Sequence, residues 1–220
     1  FKHFMEKEIF HQSTSIEDTI LNFADKKNQK VLLPKTNINF NKFSNLILIA
    51  CGTAYHSCMI GKYWLETLSN FNVSIDIASE FRYKKININK NSIGIVVSQS
   101  GETMDTLKCI SKFKEYGIPT ISIVNVLNSS IARLSDFILP TIAGPEIGVA
   151  STKAFTSQLS VLALFVLHLQ QKTTKIDKSL LDSLFEVHKN VKQVLNKGNE
   201  FKKISHSLVE AKSIFYIGRG

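Results

Sequence analysis

Three short stretches of this chain place hydroxyl, amide and glycine residues where an apolar run gives way to a helical pattern. The first, Ser98-Gln99-Ser100-Gly101-Glu102-Thr103, follows the buried-looking run Ile93 to Val97. A helix start leaves backbone N–H groups unpaired and carries a partial positive charge. Hydroxyls of Ser98, Ser100 and Thr103, with the Gln99 amide, would complete a donor cage around a phosphate, and such a site needs no lysine. Solvent is expected to satisfy these hydroxyls when no ligand is bound. A cap at Ser100, eased by Gly101, explains one or two of these residues but not four polar groups together. Glu102 suits a helix dipole yet would repel a phosphate, so its carboxylate is expected to point away.

The second stretch is Cys51-Gly52-Thr53-Ala54-Tyr55-His56. Gly52 would let the backbone approach a ligand, and Thr53 could cap a helix or donate to the ligand. The pattern is not GxGxxG and no acidic ribose partner follows, which argues against a dinucleotide site. Cys51, His56 and Cys58 fit no zinc spacing, and a Cys51–His56 nucleophile pair lacks a third orienting group. The third stretch, Glu146-Ile147-Gly148-Val149-Ala150-Ser151-Thr152-Lys153, offers Ser151 or Thr152 as a helix cap. Together the three describe a pocket for a phosphorylated, hydroxyl-rich small molecule, with no metal and no cofactor.

The elements that position these stretches alternate. Strands are expected at Leu46 to Ala50, Val73 to Ile77, Ile93 to Val97, Thr120 to Val124 and Phe137 to Leu139. Between and after them come helical patterns at Thr53 to Leu68, Glu102 to Tyr116, Ile131 to Leu134 and Thr152 to Gln171. Nearly continuous Ile/Val/Leu strands separated by helices predict an α/β fold, a doubly wound parallel sheet flanked by helices in three α/β/α layers. In such folds ligands bind beyond the carboxyl ends of the strands. That is where Ser98 falls.

Outside this unit, residues 1–43 read as a linker and N-terminal helix. There Thr14 and Glu17 have capping-box spacing ahead of the stripe Ile16, Ile20, Leu21 and Phe23. Residues 44–172 read as the sheet domain. Residues 173–220 read as connecting helices, Ile176 to Leu195 and Asn199 to Lys212, and a strand, Ile214 to Ile217, feeding Gly218-Arg219-Gly220. That ending resembles Ile49-Ala50-Cys51-Gly52, as though a second copy of the unit were beginning.

Composition narrows the class. The chain has 220 residues and a formal net charge of +9. Its lysines are scattered, with no arginine-rich stripe or aromatic-basic weave, so solvated faces account for the charge and no nucleic-acid partner is expected. No apolar stretch reaches the roughly 18–20 residues of a membrane span. Three cysteines are too few for a disulfide framework and suit a reducing cytoplasm. A Phe-Lys-His-Phe opening lacks the pattern of a signal peptide, and without an initiator Met the chain reads as a piece of a longer protein.

CGTAYHS, SQSGETMDTL and AGPEIGVASTKAFTSQL resemble the three signature stretches of the sugar isomerase (SIS) domain in the glutamine–fructose-6-phosphate aminotransferase (isomerizing) family. The opening FKHFMEKEIFHQ resembles that family's link between its glutaminase and isomerase halves, so the likeness covers nearly the whole chain in order. It implies sugar-phosphate contacts at Thr53, Ser98, Gln99, Ser100 and Thr103, beside Cys51 and Gly52, with Val149, Ala150 and Ser151 at the sugar. Many members carry serine where this chain has Ala54, which removes one polar contact.

The implied substrates are fructose 6-phosphate and glucosamine 6-phosphate, and the implied partners are a glutaminase domain of the same chain and a second subunit. The family's acid–base groups, Schiff-base lysine and ring-opening histidine lie beyond the stretch matched here. No catalytic residue is therefore expected within it, and the stretch alone is expected to be inactive. A different SIS-domain isomerase or etherase, or a sugar-phosphate-sensing regulator, is the alternative.

Overall fold

The computed structural model describes residues 1–85, 88–173 and 176–218. Helix α1 (Phe4–Phe23) opens the chain, followed by a small antiparallel ribbon of β1 (Ala24–Asp25) and β2 (Lys30–Val31). The first half of the main sheet comprises β3 (Asn45–Ala50), α2 (Gly52–Leu68), β4 (Asn72–Ile77), α3 (Ala78–Phe81) and β5 (Ser92–Ser98). Its second half adds α4 (Met104–Glu115), β6 (Thr120–Val124), α5 (Ser130–Leu134) and β7 (Phe137–Pro140). Three helices complete the chain, α6 (Lys153–Thr173), α7 (Lys178–Leu195) and α8 (Gly198–Ser207).

The five strands β3 to β7 form one wholly parallel sheet in the order β4-β3-β5-β6-β7. Successive strand side chains point to opposite faces, so two apolar sets must each find a cover. Leu46, Leu48 and Ala50 of β3, with Ile93, Ile95 and Val97 of β5, face a core shared with α1, α2, α6 and α7. Ile49 and Val96 face the other way, against Phe81, Ile110, Phe113 and Ile131 from α3, α4 and α5. This is the doubly wound three-layer α/β/α fold that the alternation implies. Gly94 marks how tightly the second face is packed, since a Cβ there would lie 2.6 Å from the Phe113 ring.

Strand order places the switch point between β3 and β5. Their neighbours lie on opposite sides, and Ala50 pairs with Val97 at their carboxyl ends. A crevice must open there because the chain leaves the two strands in opposite directions.

Several local expectations are corrected. The first helix begins at Phe4, so Thr14 and Glu17 lie in its interior rather than forming a capping box. The hydroxyls nearby bond within the helix instead, Thr19 to the Ser15 carbonyl at 2.6 Å and Ser15 to that of Gln12 at 3.1 Å. Helix α4 starts at Met104 rather than Glu102, and α8 ends at Ser207 rather than Lys212. Ile214 to Ile217 form no strand, and a strand without neighbours has nothing to satisfy its backbone. Arg219 and Gly220 lie outside the described residues.

Candidate functional site

At the carboxyl end of β5 the chain turns sharply. Ser98 is the last residue of the strand and is only 4% exposed. Its Oγ accepts the N–H of Gly101 at 3.0 Å and lies 3.2 Å from Oγ1 of Thr103. Gly101 has φ +67°, and a Cβ there would sit 2.0 Å from Ser129 Oγ, so both conformation and space demand glycine. The expectation of solvated pocket hydroxyls therefore fails at Ser98, which is buried and whose oxygen helps to close the turn while its O–H keeps a proton to donate. Ser100 remains exposed, and its Oγ accepts the Glu102 N–H at 3.2 Å.

Ser100 does not cap α4. The N-cap is Thr103, and its side chain makes no capping hydrogen bond. The first N–H groups of α4 thus lack a side-chain partner beside the polar turn. Glu102 turns away, and its Oε1 accepts the Ser130 N–H at 2.7 Å at the start of α5. That backbone hydrogen bond, with the Ser130 side chain and Arg133 helping, holds its carboxyl below the ordinary range.

Across the switch point, Cys51 is the N-cap of α2 and likewise makes no side-chain cap. Gly52, at φ +58°, supplies a left-handed turn that a side chain would resist. Thr53 is exposed on the first turn. Ala54 is buried, and Ser57 Oγ lies 2.7 Å from its carbonyl oxygen and 3.3 Å from Gln158 Oε1, tying α2 to α6.

The third side is the loop between β7 and α6. Asn125 holds its first part, donating from Nδ2 to the Gly144 carbonyl at 2.8 Å and accepting the Ala143 N–H at 3.1 Å. Glu146 holds the second part. Its Oε1 accepts the N–H groups of Thr152 at 2.9 Å and Ala154 at 3.2 Å, while Oε2 accepts from Ser151 Oγ at 3.1 Å. A carboxylate reaching forward from the loop, not Ser151 or Thr152, thus holds the start of α6. This suits the positive end of a helix.

These three sides enclose a cleft of about 240 Å³. Cys51, Thr53 and Ala54 line it from the start of α2, and Val97, Ser98, Gln99, Ser100 and Thr103 from the β5–α4 turn. Glu146, Gly148, Val149 and Ser151 close it from the loop, with Gln158 behind them. Of the contact residues that the resemblance implies, Gly52 and Ala150 fall outside this lining. Gln158 lies in the second turn of α6 and is buried, and its place in the lining has no counterpart in the hydroxyl-rich stretches. Glu146 stands within the third stretch, where its hydroxyl neighbours offer the more obvious caps. A second, more open cleft of about 770 Å³ adjoins the first and shares Gln99, Ser100 and Glu146 with it.

Among the described residues, no group of three or more His, Cys, Asp or Glu is placed to hold a metal ion. Of Cys51, His56 and Cys58, the last is fully buried while His56 is exposed, so the three do not share one environment. No helix among the described residues is long and apolar enough to cross a membrane.

Residues 40–168 match the family model described as SIS domain. The whole chain aligns at 42% identity with "Glutamine--fructose-6-phosphate aminotransferase [isomerizing]" of Brucella abortus biovar 1 (strain 9-941), covering 37% of that relative. It aligns at 41% identity with the protein of the same name from Bartonella quintana (strain Toulouse), again over 37% of its length. Among solved structures, the C-terminal domain of glucosamine-fructose-6-phosphate aminotransferase from Francisella tularensis superposes with a TM-score of 0.86 at 36% identity. That match covers 96% of this chain and 60% of the other.

Proposed function

The chain belongs to the SIS domain family, and from that premise we propose that it forms the hexose-phosphate pocket of a glutamine–fructose-6-phosphate aminotransferase (isomerizing). Such an enzyme takes ammonia from glutamine, aminates fructose 6-phosphate and isomerises the product to glucosamine 6-phosphate. The observation that carries the reading is the cleft at the switch point, where two helix starts without side-chain caps meet Ser98, Gln99, Ser100 and Thr103. The dianionic phosphate takes the N–H groups and hydroxyls of the β5–α4 turn, with Thr53 opposite. Cys51 and Gly52 let the ligand approach the α2 start, and Val149, Ala150 and Ser151 flank the sugar. Gln158, behind the loop, adds a neutral polar group for a sugar hydroxyl.

The relatives named for this activity extend well beyond the 37% of their length that aligns here. We therefore assign the proton-moving and carbonyl-binding groups to the remainder of such a protein and none to this stretch. On the same reading residues 1–43 link to a glutaminase domain and 44–172 are the first SIS subdomain, with 173–220 leading into a second. A homodimer and a cytoplasmic setting complete the proposal, the latter in keeping with three free cysteines. Assay of the full-length protein tests it. Glucosamine 6-phosphate should form from fructose 6-phosphate and glutamine, while residues 1–220 alone yield none. Full-length protein that converts only other phosphosugars contradicts it.

A further inference from the structure

Glu8 stands in the second turn of α1, 139 residues from Ile147, yet its carboxylate meets the loop that closes the cleft. It is 4% exposed. Oε1 accepts the Ile147 N–H at 2.6 Å and the Gly148 N–H at 3.2 Å, and Oε2 accepts the Gly148 N–H at 3.1 Å. Gly148 fits against it closely, since a Cβ there would lie 2.6 Å from Glu8 Oε2 and 3.4 Å from the Met5 Cα. One turn further along α1, His11 Nδ1 lies 3.3 Å from Nζ of Lys153, the first residue of α6. Burial, then the neighbouring Lys153, lowers the pKa of His11, which suits a neutral ring accepting from the ammonium.

The segment from Val149 to Ser151 is thus held between two carboxylates, with Glu8 gripping the backbone before it and Glu146 the helix start after it. The rest of α1 has separate work. Ile16, Ile20 and Phe23 pack into the main core, whereas Phe4 to Lys7 are exposed. A buried carboxylate is costly unless its hydrogen bonds are met. Here backbone N–H groups of the cleft loop meet them.

We propose that Glu8 is a positioning residue for the hexose-phosphate pocket: it fixes the Ile147–Gly148 backbone from the first helix, setting Val149 and Ser151 at the sugar without touching the ligand. The proposal rests on the sugar-phosphate reading above. It makes the N-terminal helix part of the site.

The test is titration of the full-length enzyme with fructose 6-phosphate, comparing wild type, Glu8→Ala, Gly148→Ala and the double variant. Glu8→Gln, which keeps one acceptor oxygen, serves as the conservative variant, and Ile16→Ala controls for general loosening of α1. Losing hydrogen bonds to a charged group predicts that Glu8→Ala raises Kd about ten- to a hundredfold. Gly148→Ala, which pushes a methyl against the carboxylate from the loop side, should weaken binding similarly. The double variant should be no weaker than Glu8→Ala, because both disturb one contact. Glu8→Gln should recover much of the affinity, and Ile16→Ala should lower Tm with Kd unchanged. Wild-type Kd in folded Glu8→Ala, or strictly additive losses in the double variant, would overturn the positioning role. Wild-type enzyme that does not bind fructose 6-phosphate would instead overturn the sugar-phosphate reading beneath it.

Discussion

Ser98 and Thr103, five residues apart across the turn from β5 into α4, bring their hydroxyl oxygens within 3.2 Å of each other. The two differ in what else they do. Ser98 Oγ also accepts the N–H of buried Gly101, whereas Thr103 makes no capping bond to the helix it begins. Ser98 thus also helps to hold the turn, whereas Thr103 adds no bond of that kind to the fold.

Gly101→Ala should therefore be severely destabilising. A left-handed alanine costs about 1–2 kcal/mol, and its Cβ would collide with Ser129 Oγ. Urea unfolding should show a loss above about 2 kcal/mol, more than the backbone term alone. A loss within about 0.5 kcal/mol, the range of an ordinary surface change, would mean the turn can relax freely.

Gly94→Ala tests the opposite face of the sheet, away from the cleft. Its Cβ would press on the Phe113 ring at 2.6 Å, and overpacking of this kind costs about 1–3 kcal/mol. Thermal melts should fall while sugar-phosphate affinity of the folded protein stays unchanged. Loss of affinity at preserved Tm would contradict the separation of core and site.

Among the cysteines, burial pushes the Cys109 thiol up to about 12 and Cys58 higher still, whereas Cys51 lines the cleft and is half-buried. Only a thiolate attacks an alkylating agent. Iodoacetamide at mildly alkaline pH should mark Cys51 alone, and fructose 6-phosphate should slow it. Peptide mass spectrometry showing Cys58 or Cys109 modified as fast would contradict the burial.

Much of the fold was legible in the strands. Leu46 to Ala50 and Ile93 to Val97 are apolar without interruption because both faces are covered, and that pattern alone implied a parallel sheet. Hydroxyls were harder to read. Thr14 and Glu17 matched a capping box, but the carbonyls of their own helix absorb Ser15 and Thr19. Ser100 looked like a cap because it precedes a helix, yet the turn around Gly101 delays α4 until Met104. Glu8 was invisible as a site component, since its partners lie 139 and 140 residues away and offer only backbone N–H groups. No pattern of side chains records such a contact.

Glu186 gives the chain an acid-sensitive tie. Hydrogen bonds from Lys189 and then Lys26 depress its carboxyl to about 2, joining the segment after α1 to α7. A carboxyl depressed on folding contributes stability above its unfolded pKa, near 4.5, and loses it as pH falls toward about 2. The pair is exposed and so screened by salt. Tm between pH 5 and pH 2 should fall less steeply in Glu186→Gln than in wild type at low salt, on the order of a small difference. Identical slopes would show that the contact contributes nothing.

Calorimetric titration of Thr103→Ala against wild type tests most directly whether the β5–α4 turn holds a phosphate. Thr103 is the right probe because Ser98→Ala would also strip the Gly101 N–H of its partner, at a cost of about 1–3 kcal/mol in stability. Each charge-assisted hydrogen bond to a phosphate is worth roughly 1.5–3 kcal/mol, and about 1.4 kcal/mol is tenfold in affinity. Fructose 6-phosphate should bind Thr103→Ala about ten- to a hundredfold more weakly than it binds wild type, with Tm nearly unchanged. Unphosphorylated fructose should bind both proteins weakly and alike. Equal losses for the two sugars, or no loss for either, would contradict a phosphate at this turn.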